Sequence, residues 1–447
     1  MRHHSILDGL SVLLVLVLAG CSTHADRLRE VRAEFYAGSV ETARIKLDGF
    51  IKQHGREANC FKMDRAVVEL AAGRPREAEQ IFREVRNSLE HFEQKSLVES
   101  AGSMVTDDTV TAYSGEDYER ILVRAFLALA NLMNGGDDAR AYSLQVTDLQ
   151  ERIIQAGQDE SGQNLKLAYK RVALGAYLEG ALREASPMDA SDAARSYVKV
   201  CNWEPNFPFG RADVERAAHG HHSRQGNGVL YVFALVGRGP YKEQKEETAA
   251  TIAMLVGDRI VSYTGKHTLP PTLATIKVPK VVVSYNTTHG VQVWIDGQSA
   301  GGTATITDVG QLATQQNEAI YPQVLGRAVA RRIAKKGVAY GVKEAAKISN
   351  NSLTNLAVDV AGVAWEASEK ADCRCWGLLP HQIQVLRIEV PAGEHRIGLS
   401  PVGSHGMLSA QETTVRIADG RNTYMLATFA DGKLLGKVLT SEAGSRQ

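Results

Sequence analysis

Gly38-Ser39-Val40-Glu41-Thr42-Ala43 begins the stretch of sequence that decides the fold of the first half of the chain. Its marker positions, Gly38, Ala43, Leu47 and Phe50, return 35 residues later at the same offsets as Gly73, Ala78, Phe82 and Val85. A glycine suits a tight turn, a small residue suits the crossing of two helices, and the large apolar residues that follow lie one helical turn apart. Neither helix of such a pair can bury its apolar stripe alone, so pairs stack on pairs. The pattern from Asp26 to about Trp203 is helical throughout. Gly136 with Ala141 forms a weaker third copy, and Tyr197, Val200 and Pro205 outline a fourth, with the proline closing the helix.

The spacing and order resemble the tetratricopeptide repeat, without its usual aromatic residue early in the first helix; a generic α-helical bundle is the alternative. Between the second and third copies lies Tyr113-Ser114-Gly115-Glu116-Asp117-Tyr118-Glu119-Arg120. Here Ser114 is expected to cap a helix whose first turn carries Glu116 and Asp117 and whose apolar face runs through Ile121, Leu122, Ala125, Leu127 and Leu132. That helix is either a ligand-facing corner or a capped core helix, and the second reading is preferred.

After Phe207 the period changes. Phe207–Gly228 reads as a linker with a cluster, His219, His221 and His222, that lacks a neighbouring carboxylate or thiol to complete a metal site. Val229–Val236, Val281–Tyr285 and Val291–Ile295 read as strands. Gly297–Gly301 then fits G-x-S-x-G, the nucleophile elbow of serine hydrolases, with Asp359 or Asp372 and His395 or His405 following in hydrolase order. Its context argues for something else. Asp296-Gly297 is a hairpin-turn signal, and Gly302–Thr307 is a β-branched alternating strand where the elbow needs a helix. Ser299 is therefore expected to be a turn residue. Beyond it, Pro322 with the stripe Leu325, Val329 and Ile333 marks a helix that carries Arg327, Arg331 and Lys335 on another face. Ser349–Ser352 breaks it, and Leu356–Trp365 returns as its hairpin partner. The strands from Ile383 onward suit a small antiparallel sheet or sandwich.

The expected class is thus α+β and multidomain: a repeat-like helical domain over 21–205, a linker at 206–227, a β-rich segment at 228–308, a helical hairpin at 309–370 and a C-terminal β module at 371–447. Lys and Arg number 51 and Asp and Glu number 51 in the 447 residues, so no net field draws the chain to nucleic acid. Cys373 and Cys375 are too close for an unstrained disulfide and supply only two thiols. No metal or cofactor is expected. At the start, a basic Met1–His4, a short apolar run to Leu18 and Leu18-Ala19-Gly20-Cys21 have the layout of a secretory signal over 1–20. The last four residues resemble the bacterial lipobox, which implies that Cys21 is diacylated and becomes the mature N-terminus. Ser22, rather than Asp, implies sorting to the outer membrane.

The chain also resembles a group of Gram-negative outer-membrane lipoproteins with helical, repeat-like N-terminal halves. Three stretches carry the resemblance: Tyr113–Leu132; Tyr321-Pro322 with Arg327 and Arg331; and Ala371-Asp372-x-Arg374-x-Trp376 followed by Leu379-Pro380, Gln384-Val385 and Arg387. It departs from the pattern at Ala141–Leu144, where a Glu-Ala-Arg-Arg-like stretch is expected, and at the cysteines beside Arg374, where small hydroxyl residues are expected. The resemblance implies gene neighbours similar to the curli secretion channel and to activators of penicillin-binding proteins. It therefore implies a non-enzymatic scaffold, lipid-anchored with its body in the periplasm, that binds other envelope lipoproteins or proteins, with peptidoglycan as a further candidate. The alternative is an envelope enzyme or polysaccharide-binding protein, with Ser299 as a hydrolase nucleophile. Candidate binding residues are Tyr113, Glu119, Arg120, Arg327, Arg331, Asp372, Arg374 and Trp376.

Overall fold

In the computed structural model, which describes residues 23–99, 111–158, 162–248, 275–347, 370–404 and 406–441, Gly38 and Gly73 both take left-handed backbone, at φ 93° and 85°. Each glycine ends one helix and lets the next fold back. The first turn joins α1 (His24–Ala37) to α2 (Val40–Gln53), and the second joins α3 (Ala58–Ala72) to α4 (Pro75–Glu99). Ala43, Leu47, Ala78, Phe82 and Val85 are fully buried, as the recurring offsets require. Cys21 and the signal segment lie outside the described residues, as do Ser349–Ser352, Leu356–Trp365, Asp359 and His405.

Five further helices follow: α5 (Asp117–Met133), α6 (Ala139–Gln155), α7 (Leu174–Glu184), α8 (Ala190–Trp203) and α9 (Gly210–Ala218). Each packs on its sequence neighbour. Every residue of α5 from Tyr118 to Met133 is buried, which makes it the central helix of the array. Three expectations are corrected here. The third repeat copy is out of register: Ala141 is exposed, the left-handed glycine is Gly135, and Ala139, Ser143 and Val146 are the buried positions. The cap of α5 is Glu116 rather than Ser114, in a capping box with Glu119. The segment 206–227 is not simply a linker, because α9 forms within it and packs on α8.

The second half contains the sheets. A six-stranded sheet runs in the order β12 (Lys433–Leu434), β11 (Asn422–Ala430), β1 (Asn227–Val236), β7 (Gln382–Pro391), β6 (Ala304–Asp308), with β13 (Leu439–Thr440) also on β11. The β1–β11 pair is parallel and β1–β7 antiparallel. A five-stranded antiparallel sheet holds β10 (Gln411–Ile417), β8 (Gly393–Gly403), β4 (Thr288–Ile295) and β5 (Gln298–Gly302), with β9 (Gly406–Met407) beside β8. Thus the segments 228–308 and 371–447, expected as separate units, interleave strand by strand in both sheets.

Strand β1 shows why. Its Val229, Tyr231, Phe233 and Leu235 pack with the helices, while Leu230, Val232, Ala234 and Val236 pack with Val291, Val293, Ile397 and Leu399 of the second sheet. A strand covered on both faces reads as a continuous apolar run rather than an alternating one. The molecule is therefore layered, helices on sheet on sheet. The helix–sheet seam also holds a buried ionic joint. Glu184 accepts from Arg216, from Arg387 (3.1 Å) and from the Tyr197 hydroxyl (2.7 Å), and the guanidiniums hold its carboxyl below the usual range against the effect of burial.

Two pieces remain. The long α10 (Val309–Lys347) lays Leu325 and Val329 on Ile276 and Val278 of a two-stranded ribbon, β2 (Tyr241–Glu247) with β3 (Ile276–Val282). This is the expected apolar stripe; the side chains of Ile333 and Lys335 lie outside the described residues. A strap, 370–381, with a turn at Gly377 and Leu378, crosses the helical array and leads into β7.

Candidate functional site

The strap is seated by two buried carboxylates. Glu119 on α5 accepts the Trp376 amide (2.7 Å), and Asp64 on α3 accepts the Leu378 amide (2.7 Å). The two acceptors, one on α5 and one on α3, hold the chain on either side of Gly377. Glu119 also accepts the Tyr113 hydroxyl at 2.6 Å, the Tyr118 hydroxyl at 3.2 Å and the Glu116 amide at 3.2 Å. Burial, and then Glu116, push its carboxyl up from the ordinary range. The Trp376 indole is fully buried between Phe82 and Phe126, with ring centroids 5.6 and 5.1 Å away. At Gly377 the chain passes so close to α1 that a Cβ would fall 2.0 Å from the Leu28 side chain.

Above this seat lies a cleft of about 730 Å³. Among the described residues its walls come from six separated parts of the chain. The loop Thr111–Asp117 and Arg120 form one side, with Lys166 and Tyr169 from the turn before α7. The exposed face of α10 forms the other, from Gln316 to Arg331. Lys242 of β2 and Lys277–Pro279 of β3 close one end, and Lys370–Asp372 with Arg374 form the strap's rim. Arg327 and Arg331 point here because the stripe beside them, Leu325 and Val329, is used against the ribbon.

The charge in the cleft is unequal. Among the described residues eight cationic side chains line it, Arg120, Lys166, Lys242, Lys277, Arg327, Arg331, Lys370 and Arg374, against three carboxylates, Glu116, Asp117 and Asp372. Those carboxylates are engaged. Asp117 meets Lys166 at 2.7 Å and Arg120 at 3.5 Å, Glu116 meets Lys242, and Asp372 meets Arg374 at 2.7 Å. Burial works against the Lys242 charge, but Glu116 and Glu119 push its ammonium pKa up, so it stays protonated. Likewise Asp372 is buried, yet the Arg374 guanidinium holds its carboxyl below the ordinary value. Arg374 further donates to the Thr111 carbonyl (2.7 Å) and lies over the Tyr113 ring, tying strap to loop. Among the described residues, Lys277, Arg327 and Lys370 have no ion-pair partner.

Of the residues singled out from sequence, Tyr113, Arg120, Arg327, Arg331, Asp372 and Arg374 line this one cleft, while Glu119 and Trp376 lie beneath it as its support. Sequence reasoning missed Lys166, Lys242, Lys277 and Lys370. Single lysines in unrelated segments leave no local pattern that could have flagged them.

The other candidates are placed elsewhere. Asp296 (φ 51°) and Gly297 (φ 82°) form the two-residue turn between β4 and β5. Ser299, expected in the turn, sits instead on β5, because the two-residue turn ends at Gly297, and its Oγ accepts from Gln292 Nε2 at 2.9 Å. His395 is held by Asp296 at 2.7 Å and by the Pro391 carbonyl at 2.8 Å. His222 meets Asn422 at 2.6 Å, and the His219 and His221 rings stack. Cys60, Cys201, Cys373 and Cys375 are free thiols, and burial pushes those of Cys60 and Cys375 up. Among the described residues no group of three or more His, Cys, Asp or Glu side chains is placed to hold a metal ion. No family model, no curated protein and no solved structure matches this chain.

Proposed function

We propose that this protein is a non-enzymatic binding scaffold of the bacterial outer membrane, anchored through a lipid on Cys21, with its body in the periplasm and a protein partner seated in the cleft. The helical half acts in this reading as a tetratricopeptide-like array, and the paired turns at Gly38 and Gly73 support that. One observation carries the proposal. The three stretches on which the family resemblance rests, around Tyr113, Arg327 and Asp372, come from opposite ends of the mature chain and meet at a single cleft. Its lining combines guanidinium, ammonium, phenol and carboxamide groups with three carboxylates that are each paired with a cation, an arrangement suited to holding and orienting a partner.

The test is a photo-crosslinking amino acid placed at Gln323, inside the cleft, and separately at Thr414 on the far edge strand β10. In native envelopes the Gln323 variant is expected to trap a discrete envelope protein and the Thr414 variant none. Trapping from Thr414 alone would move the interface to the second sheet and overturn the proposal. The anchor is tested by fatty-acid labelling, which Cys21→Ser is expected to abolish. Labelling of Ser299 by a fluorophosphonate probe would instead favour the hydrolase alternative.

A further inference from the structure

We propose that a short tether holds the end of the helical array where α1 begins against the phospholipid headgroups, with the cleft at that same end. This rests on the reading of Cys21 as the lipid-bearing residue, and it names the face that the anchor turns to the bilayer. Only Ser22 separates Cys21 from Thr23. At about 3.3–3.6 Å per residue, the chain from Cys21 to Thr23 spans at most about 7 Å. Thr23 is already part of the fold: its amide donates to Asp26 at 3.0 Å and its hydroxyl at 2.7 Å, in the capping box of α1. His24, the first residue of α1, is buried, and its Nδ1 meets Glu57 at 3.1 Å. Arg27 donates to both oxygens of the same carboxylate at 2.7 Å. The tether therefore has little slack. A compact chain of this length has a radius of gyration on the order of 20 Å, so a tether of about 7 Å cannot present an arbitrary face to the bilayer.

The helix directions decide which face this is. Because α1 and α2 fold back on each other at Gly38, the end of α2 and the short turn Gly55–Glu57 return beside the start of α1. There the Phe61 ring lies 5.1 Å from that of His24 and 6.5 Å from that of His54. Lys52, Gln53 and Arg56 are exposed at this end, polar side chains that suit headgroups and water rather than hydrocarbon. The cleft belongs to the same end. The Arg56 carbonyl accepts from the Tyr113 amide (3.0 Å) and from the Arg374 guanidinium (3.3 Å), and both residues line the cleft. Tyr169, just before α7, donates to Asp117 at the start of α5 (3.3 Å), so α7 also starts here. The eleven residues of α7 rise about 17 Å, which carries the exposed Met188 beyond its other terminus well away from the tether.

The experiment uses the lipidated full chain in vesicles of phosphatidylethanolamine and phosphatidylglycerol that carry a nitroxide on a fraction of the headgroups. A fluorescent amino acid is placed at Gln53 and, in a separate variant, at Met188. Fatty-acid labelling of each preparation establishes the anchor, and circular dichroism establishes that the fold is kept. Emission from Gln53 is expected to be quenched severalfold more than emission from Met188. A Gly-Ser insertion of about twelve residues between Ser22 and Thr23, with an r.m.s. span of about 20 Å, is expected to remove most of that difference. Quenching at Gln53 no stronger than at Met188 would overturn the inference, and so would quenching at Gln53 that the insertion leaves unchanged. A labelled protein without the quenching difference strikes the orientation alone. Absence of the fatty-acid label would instead strike the anchor and, with it, the tether.

Discussion

The two halves of the strap behave differently although they are one continuous segment outside helix and strand. From Arg374 to Leu379 it is buried: two carboxylates receive its amides, two phenylalanines enclose its indole, and Gly377 touches α1. From Lys370 to Asp372 it is the rim of an open cleft, with Lys370 exposed. In the buried half the amides, the indole and Gly377 are taken up by contacts within the protein. In the open half Lys370 and Asp372 border a cleft in which, among the described residues, cations exceed carboxylates. A short sequence that looks like one binding motif is therefore a structural clasp continuing into a binding edge, and Arg374 joins the two.

The comparison can be broken most decisively at Trp376. Trp376→Ala is expected to cost about 3–5 kcal/mol, as for other large aromatic truncations in a core, measured by urea unfolding of the soluble mature chain. An unchanged midpoint would mean the buried half is not a clasp. Next comes Glu119→Ala, which leaves the Trp376 amide and the Tyr113 hydroxyl without their acceptor. It is expected to cost about 1–3 kcal/mol in the same assay.

A smaller effect separates two kinds of buried carboxylate by pH. Burial opposes ionisation of Glu57, but His24 and Arg27 hold its pKa down at about 2. Its contribution to stability is therefore full above the unfolded value of about 4.3 and is lost as pH falls towards 2. Glu119 is shifted the other way, so it binds its proton more readily folded than unfolded and works against stability as pH rises through its raised pKa. Melting temperature measured against pH should lose part of its acid-side fall in Glu57→Gln, and part of its decline towards neutral pH in Glu119→Gln. The smallest effect on stability belongs to the open half. Arg327→Ala should change the unfolding free energy by no more than about 0.5 kcal/mol, so that any binding defect it shows is not a folding defect.

Much of the helical half was legible because its signals are local. Gly38 and Gly73 each mark a turn within a few residues of the apolar positions they organise. The third copy failed because the left-handed glycine is Gly135 and the buried small residue, Ala139, lies four residues after it rather than five, so the offset of the first two copies does not carry over. Asp296-Gly297 was legible as a turn because a two-residue hairpin needs those residue types at those places. The sheet order was not legible. Nothing near Val229 or near Asn422 states that they pair, since a parallel neighbour far along the chain leaves no mark on either sequence. The cleft was half legible: the residues carried by the resemblance are there, whereas the lysines that give it its charge come from segments with no shared pattern.

That distant pairing has a consequence for how the protein is made. Strand β1 is apolar on both faces, and its two hydrogen-bonding neighbours, β7 and β11, are synthesised long after it. At about 5–20 residues per second, the roughly 190 residues from β1 to β11 occupy a ribosome for on the order of 10–40 s. The helices, whose contacts are mostly with the next helix along, can assemble during synthesis; β1 cannot, and has to be kept from other chains until the C-terminus arrives. A chain cut short before Asn422 would keep that strand's edge open for good, and the nascent protein is thus most exposed to aggregation at the one element its finished form hides best.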